Sequence, residues 1–174
     1  SLFAGSVGFE RIVRQFNFNS QSQIKGRTDF YYEGANHSLV SGDKAQDESA
    51  LKQQLTYRRG TDGQFSLRQV TVLAGDYNQE KTARVYNLKP DSKTIRSVTD
   101  FFYAGGKTAD RADEDDALTS QVTYRWAIDT AKKNALSFNA VNHEVITQGQ
   151  KASLQQISLF AGSVGFERIV RQFN

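Results

Sequence analysis

The chain has no cysteine, no methionine, one proline and one tryptophan among its 174 residues. Without cysteine there is no disulfide framework, no thiolate nucleophile and no cysteine-based zinc site. No apolar run approaches the roughly 18 residues that would signal a membrane-spanning helix, and the mean hydropathy is −0.58. An excess of one charge is missing too. The 22 Lys and Arg stand against 19 Asp and Glu, a net +3 spread evenly, which argues against a partner held by a basic field such as nucleic acid. HExxH, GxSxG and a phosphate-cradling glycine loop do not occur. There is neither a signal peptide nor an initiator methionine, which reads as a processed chain or a piece of one.

What the chain does have is repetition. Residues 1–17, SLFAGSVGFERIVRQFN, recur unchanged as residues 158–174, an offset of 157. A second, diverged repeat lies inside the first. TDFYYEG from Thr28 matches TDFFYAG from Thr99, QLTYR at Gln54–Arg58 matches QVTYR at Gln121–Arg125, and VTVLAG at Val70–Gly75 matches ISLFAG at Ile157–Gly162. Nine residues separate Gly5 from Arg14, Gly75 from Arg84 and Gly162 from Arg171. RVYNL at Arg84 matches RQFNF at Arg14. One period of 157 residues is thus two homologous halves of about 71 and 86. The chain divides into the end of one half-repeat (1–27), a first half-repeat (28–98) and a second (99–174) that runs into the start of the next copy. Most of the excess in the longer half lies between Tyr124 and Gly162, which predicts an added strand or hairpin around HEVITQGQ.

The motifs fall in short β-branched and aromatic runs with period-two alternation, the mark of strands. Strands are predicted over residues 26–32, 52–59, 64–73, 82–88, 94–103, 120–127, 135–142 and 154–161, with 166–173 continuing as 10–18 does. TDG, AGD, KPDS, AGG and DTAKKN supply the turns between them. Helical turns are expected only near 46–52 and 113–118, and the glycines of the AG and EG motifs (Gly5, Gly34, Gly75, Gly105, Gly162) are expected at positive φ. The fold class is all-β: antiparallel strands in tandem repeats, as stacked hairpins or a solenoid-like array.

Candidate sites are few. Asp110, Asp113, Glu114, Asp115 and Asp116 form an acidic loop that offers oxygen ligands to a calcium ion, although the spacing is not that of an EF-hand. A solvated loop is the preferred reading, and otherwise no cofactor is called for. His37 and His143 stand alone, without a partnering motif. Asp29 and Asp100 head the TDF motifs, and their equivalence by repeat points to one packing or hydrogen-bonding role in both copies, not to a catalytic pair. The aromatic set Phe30, Tyr32, Tyr57, Tyr86, Phe101, Tyr103, Tyr124 and Phe160 recurs at the repeat spacing, with Arg14, Arg58, Arg84 and Arg125 beside several members. Such interleaving can bind sugars or single-stranded nucleic acid; its recurrence favours packing of each repeat on the next.

The recurring aromatic-glycine strands TDFYYEG and TDFFYAG resemble, in architectural style, bacterial surface proteins built of tandem β-hairpin repeats. The Rhs-type shells with YD repeats are nearest, although the Tyr-Asp dipeptide itself is absent. The repeat pattern leads to the expectation of a non-enzymatic structural unit of a filament, stalk, adhesin or shell, extracellular or at the cell surface. Its partners would be neighbouring repeats or copies of itself, with a host or surface glycan as a further candidate. A pilus-like subunit complemented by donor strand 158–174 is the first alternative, and a carbohydrate-binding β module the second.

Overall fold

A computed structural model describes residues 1–92, 94–128, 138–139, 144–145 and 149–174. In chain order the strands are β1 (Leu2–Ala4), β2 (Arg11–Phe18), β3 (Ile24–Glu33), β4 (Leu39–Ser41), β5 (Leu51–Arg59), β6 (Phe65–Ala74), β7 (Lys81–Leu88), β8 (Ile95–Tyr103), β9 (Leu118–Ile128), β10 (Phe138–Asn139), β11 (Glu144–Val145), β12 (Gly149–Ala161) and β13 (Arg168–Phe173). Eleven of them form one open antiparallel sheet in the order β1-β2-β3-β5-β6-β7-β8-β9-β12-β13, with β4 pairing β3 beside that path. Each strand of the path pairs antiparallel with the one before it, so the sheet is a meander without a crossover.

Turn chemistry accounts for the tight connections. At TDG the Gly60 amide donates to the Gln64 carbonyl at 2.8 Å, and the Gln64 amide donates to the Asp62 carboxylate at 3.1 Å. At KPDS the Thr94 amide donates to Asp91 at 2.8 Å. The helical turns expected near 46–52 and 113–118 are absent. Those segments hold single turns, closed by Ser49 N–H to Gln46 O at 3.1 Å and Asp116 N–H to Asp113 O at 3.0 Å. The one-turn 3-10 helices lie instead at Ala35–His37 and Ala104–Gly106, directly after the TDF strands. Gly34 is extended (φ −106°), and the positive φ expected of it falls on Asn36 at 55° and His37 at 57°. Asparagine tolerates that conformation because its short polar side chain can bond to nearby backbone.

In the span where an added strand or hairpin is expected, β10 and β11 pair with each other as a two-stranded sheet, with β11 inside HEVITQGQ and β10 before it. Most of the expected strand 135–142, and His143, lie outside the described residues.

Residues directly opposite on neighbouring strands share a face, so the registers sort the side chains. One row across the sheet reads Asp29, Leu55, Val70, Tyr86, Val98 and Tyr124. The adjacent row on the other face reads Thr28, Thr56, Gln69, Asn87, Ser97 and Arg125. The second face is polar in its middle: Thr28 and Thr56 hydroxyls meet at 3.3 Å, Thr99 and Thr123 at 2.8 Å, and the Asn87 amide donates to the Ser97 hydroxyl at 3.3 Å. Alternation in the sequence is imperfect because bulges reset it. Thr56 pairs Gln69 while Tyr57 pairs Leu67, which skips Arg68 and puts Leu67 on the same face as Val70 and Val72. In the same way Arg96 is skipped, which joins Ile95 to Val98.

The core is the middle of the first face. Leu55, Leu67, Val70, Tyr86, Leu88, Ile95 and Val98 form one buried cluster, covered by Tyr31, Tyr57, Val72, Tyr124 and Trp126. Its cover comes from rings and long side chains of the same sheet. Full burial of each aliphatic member stabilises by about 1.5–3 kcal/mol, so stability concentrates in β5–β8 and thins toward both edges.

Candidate assembly interface

The two halves make the same contacts at the same places. Arg14 pairs Asp29 across β2 and β3, and Arg84 pairs Asp100 across β7 and β8, Nε to Oδ1 at 2.5 Å in the second case. Both aspartates are buried and stand opposite their arginines in register. A short chain of hydrogen bonds then ties each half together at the loop end. The Tyr32 hydroxyl donates to the Ile12 carbonyl at 3.0 Å, and the Tyr103 hydroxyl to the Thr82 carbonyl at 2.8 Å. Arg11 lies over the Tyr32 ring at 5.5 Å, and Lys81 over the Tyr103 ring at 5.1 Å. Arg11 reaches the Ser49 carbonyl at 3.5 Å and Lys81 the Asp116 carbonyl at 2.8 Å. Lastly, the Leu51 amide donates to the Glu80 carboxylate at 2.9 Å, and the Leu118 amide to the Glu167 carboxylate at 3.2 Å.

Three hairpins carry this frame. Leu2 pairs Arg14, Phe3 pairs Ile12 and Ala4 pairs Arg11, with the bulge after Leu2. The C-terminal copy repeats this: Leu159 pairs Arg171, Phe160 pairs Ile169 and Ala161 pairs Arg168, with the bulge after Leu159. Between them, Val72 pairs Arg84, Leu73 pairs Thr82 and Ala74 pairs Lys81. Each turn passes through a glycine at positive φ: Gly5 at 123°, Gly75 at 105° and Gly162 at 132°. A Cβ there would lie 2.5, 2.6 and 2.5 Å from the carbonyl oxygen of Phe9, Gln79 and Phe166, so only glycine fits.

The two identical hairpins are nevertheless covered on opposite sides. In the N-terminal copy Arg11 is buried and Ile12, Val13 and Phe16 are half-buried under β3; the same residues of the C-terminal copy, Arg168, Ile169, Val170 and Phe173, are exposed. On the first strand the asymmetry reverses. Leu2 and Phe3 are exposed, whereas Leu159 and Phe160 are half-buried against β9. Every exposed large hydrophobic residue among the described ones lies in β12–β13 or in the first 18 residues. Large exposed apolar groups gathered in one place mark an interaction surface, and here they gather at the two edges of an open sheet, where unpaired backbone groups also face out.

Comparison of the chain with family models, curated proteins and solved structures returned no match.

The predicted site residues fall as follows. The aromatic set splits between the two faces. Tyr57, Tyr86 and Tyr124 belong to the apolar face, while Phe30, Tyr32, Phe101, Tyr103 and Phe160 belong to the other. Phe30, Tyr32, Tyr86 and Tyr103 are buried, and Tyr57, Phe101, Tyr124 and Phe160 are half-buried. Arg58 and Arg125, adjacent in sequence to Tyr57 and Tyr124, point to the face opposite those rings, since successive residues of a strand do. The cation over Tyr57 is Arg27, its cross-strand partner, at 4.6 Å. His37 is exposed and bonds Glu33 through Nδ1 at 2.5 Å.

The five acidic-loop carboxylates do not converge. Lys107 is the cation of that loop, bonded to Asp113 and to Asp116 at 2.7 Å each. Those two bonds push the Lys107 ammonium up to about 12, and Lys107 in turn lowers the Asp116 carboxyl. Asp110 bonds Thr108, which lowers it, and stands 3.9 Å from Arg111. Among the described residues no three acidic or histidine side chains are placed to share a metal ion, and no helix is long and apolar enough to cross a membrane.

Sequence reasoning missed Glu80 and Glu167, and the cations Arg11 and Lys81. A signal for them was present: a glutamate stands five residues after the turn glycine in Gly5–Glu10, Gly75–Glu80 and Gly162–Glu167, and a basic residue follows each glutamate.

Proposed function

We propose that the chain is a structural segment of a longer array, a filament, stalk, adhesin or shell at the cell surface or outside the cell, in which one sheet lengthens by successive 157-residue units, each of two four-strand halves. The observation that supports this most is the placement of the duplicated residues. Residues 1–17 and 158–174 form the same hairpin in the same register, one at each edge of the sheet. A hairpin that ends one unit and begins the next has both of its flanks covered only inside an array, because each copy here lacks one neighbour.

The placement speaks against self-complementation by a donor strand, since neither copy fills a gap beside the other. It also favours packing over sugar binding for the Tyr/Arg set, because Tyr57 and Tyr124 are packed against the core cluster. No function is required of a nucleophile or a metal. The partners are then other units of the same kind.

The test is thermal. A tandem chain in which residues 158–174 of the first unit serve as residues 1–17 of the second is expected to melt at a higher temperature than the single chain, because one pair of bare edges is removed. Equal melting temperatures would overturn the reading.

A further inference from the structure

The outer edge of β13 has a known partner strand, because β13 has the same sequence as Arg11–Phe16 of β2, and β2 is already paired. We propose that β13 of one chain binds β3 (Ile24–Glu33) of a second copy, in the register that β2 uses, and displaces that copy's own N-terminal hairpin. This deepens the array reading and rests on it; it adds that separate chains join end to end without a covalent link.

The contacts can be written residue by residue from the β2–β3 pair. Gln172 would stand opposite Thr28, as Gln15 does, and Arg171 opposite Asp29, as Arg14 does. Arg168 would lie over Tyr32, whose hydroxyl would donate to the Ile169 carbonyl. Ile169, Val170 and Phe173, now 56, 62 and 47 % exposed, would gain the cover that Ile12, Val13 and Phe16 already have. The exchange replaces residues 11–17 by an identical run, so most terms of that strand cancel, while the Phe18–Ile24 pair and the turn at Asn19–Gln23 are given up. In return the strand behind it changes. β1 is a three-residue strand with no further neighbour, whereas β12 has thirteen residues and is paired along β9. The joined sheet is therefore continuous, and Asp29, which is 5 % exposed, keeps an arginine throughout. Residues 1–17 act as a built-in competitor that slows joining until it is displaced.

The experiment uses the full chain. Arg14→Ala takes the competitor's hold off Asp29 and leaves Arg171 as the better partner, so light scattering is expected to show a shift toward dimers and longer chains relative to the unchanged chain. Adding Arg171→Ala is expected to weaken that association at least roughly tenfold, as loss of one partner of a buried charge pair does. Oligomers that persist in the double variant, or an Arg14→Ala chain that stays folded and monomeric, would overturn the proposal.

A second measurement holds even if Arg14→Ala fails to fold. The chain has no native cysteine, so a Thr28→Cys chain mixed with a Gln172→Cys chain under mild oxidation should give the crossed disulfide dimer. Pairing Thr28→Cys with Phe173→Cys, which the register places on the other face, should not. Equal yields from both pairs, or none from either, would reject the register. Should cross-linking fail while the tandem chain still melts higher than the single one, the array stands and end-to-end joining of separate chains is lost.

Discussion

At Gly75 the backbone turns with φ +105°, and an added Cβ would meet the Gln79 carbonyl oxygen at 2.6 Å. Gly75→Ala is therefore expected to cost about 1–3 kcal/mol in denaturant unfolding, and more than Gly5→Ala, because the Gly75 hairpin is flanked on both sides. Tyr103 carries a pH dependence. Burial pushes its phenol from 10.0 up to about 12, since the ionised ring is poorly solvated there. A raised folded value means the contribution is complete below the ordinary value near pH 10 and is lost as pH rises through about 12. Stability should fall across that window, and Tyr103→Phe should flatten the fall while costing about 1 kcal/mol for the hydrogen bond to Thr82. At this scale the sequence was only partly legible. The turn glycines could be read from recurrence, but the cation over Tyr57 could not, because Arg27 is its neighbour only across the sheet.

Among the elements, the hairpin ending in Glu167 reaches beyond its own strands. Its carboxylate accepts the Leu118 amide, which belongs to β9, the strand beyond β12. Backbone amides, its own first and then that of Leu118, hold the Glu167 carboxyl below its ordinary value of 4.5. A depressed folded value gives a contribution that is present above pH 4.5 and fades as pH falls below it. Hydrogen-exchange protection of the Leu118 amide should drop on acidification in that range, and Glu167→Gln should remove the pH dependence. Most strands of the sheet were legible from alternation and turn residues, but the three-residue β1 and β4 were not. Their faces were less so: a bulge at Arg68 moves Leu67 to the other side, and a period-two reading cannot register one skipped residue. The expected helical turns failed because each segment is closed by a single turn, and the second also by Lys107, in place of helical bonds.

For the whole molecule the sheet has a centre and two ends. Leu55, Val70 and Val98 are at most 1 % exposed, while all six residues of β13 are exposed. Native-state hydrogen exchange should accordingly be slowest in β5–β8 and fastest in β1 and β13; uniform protection along the sheet would contradict this account of where the core lies. By itself the sequence determined that the chain is all-β, where its tight turns fall and that its two ends are the same segment, because strand patterning, turn chemistry and repetition are local properties of the residue order. Only the tertiary structure decided that the strands form one open meander, which face each ring occupies, and that identical hairpins are buried on opposite flanks. Those depend on register and on what lies next door, and two stretches of identical sequence differ in nothing but their neighbours.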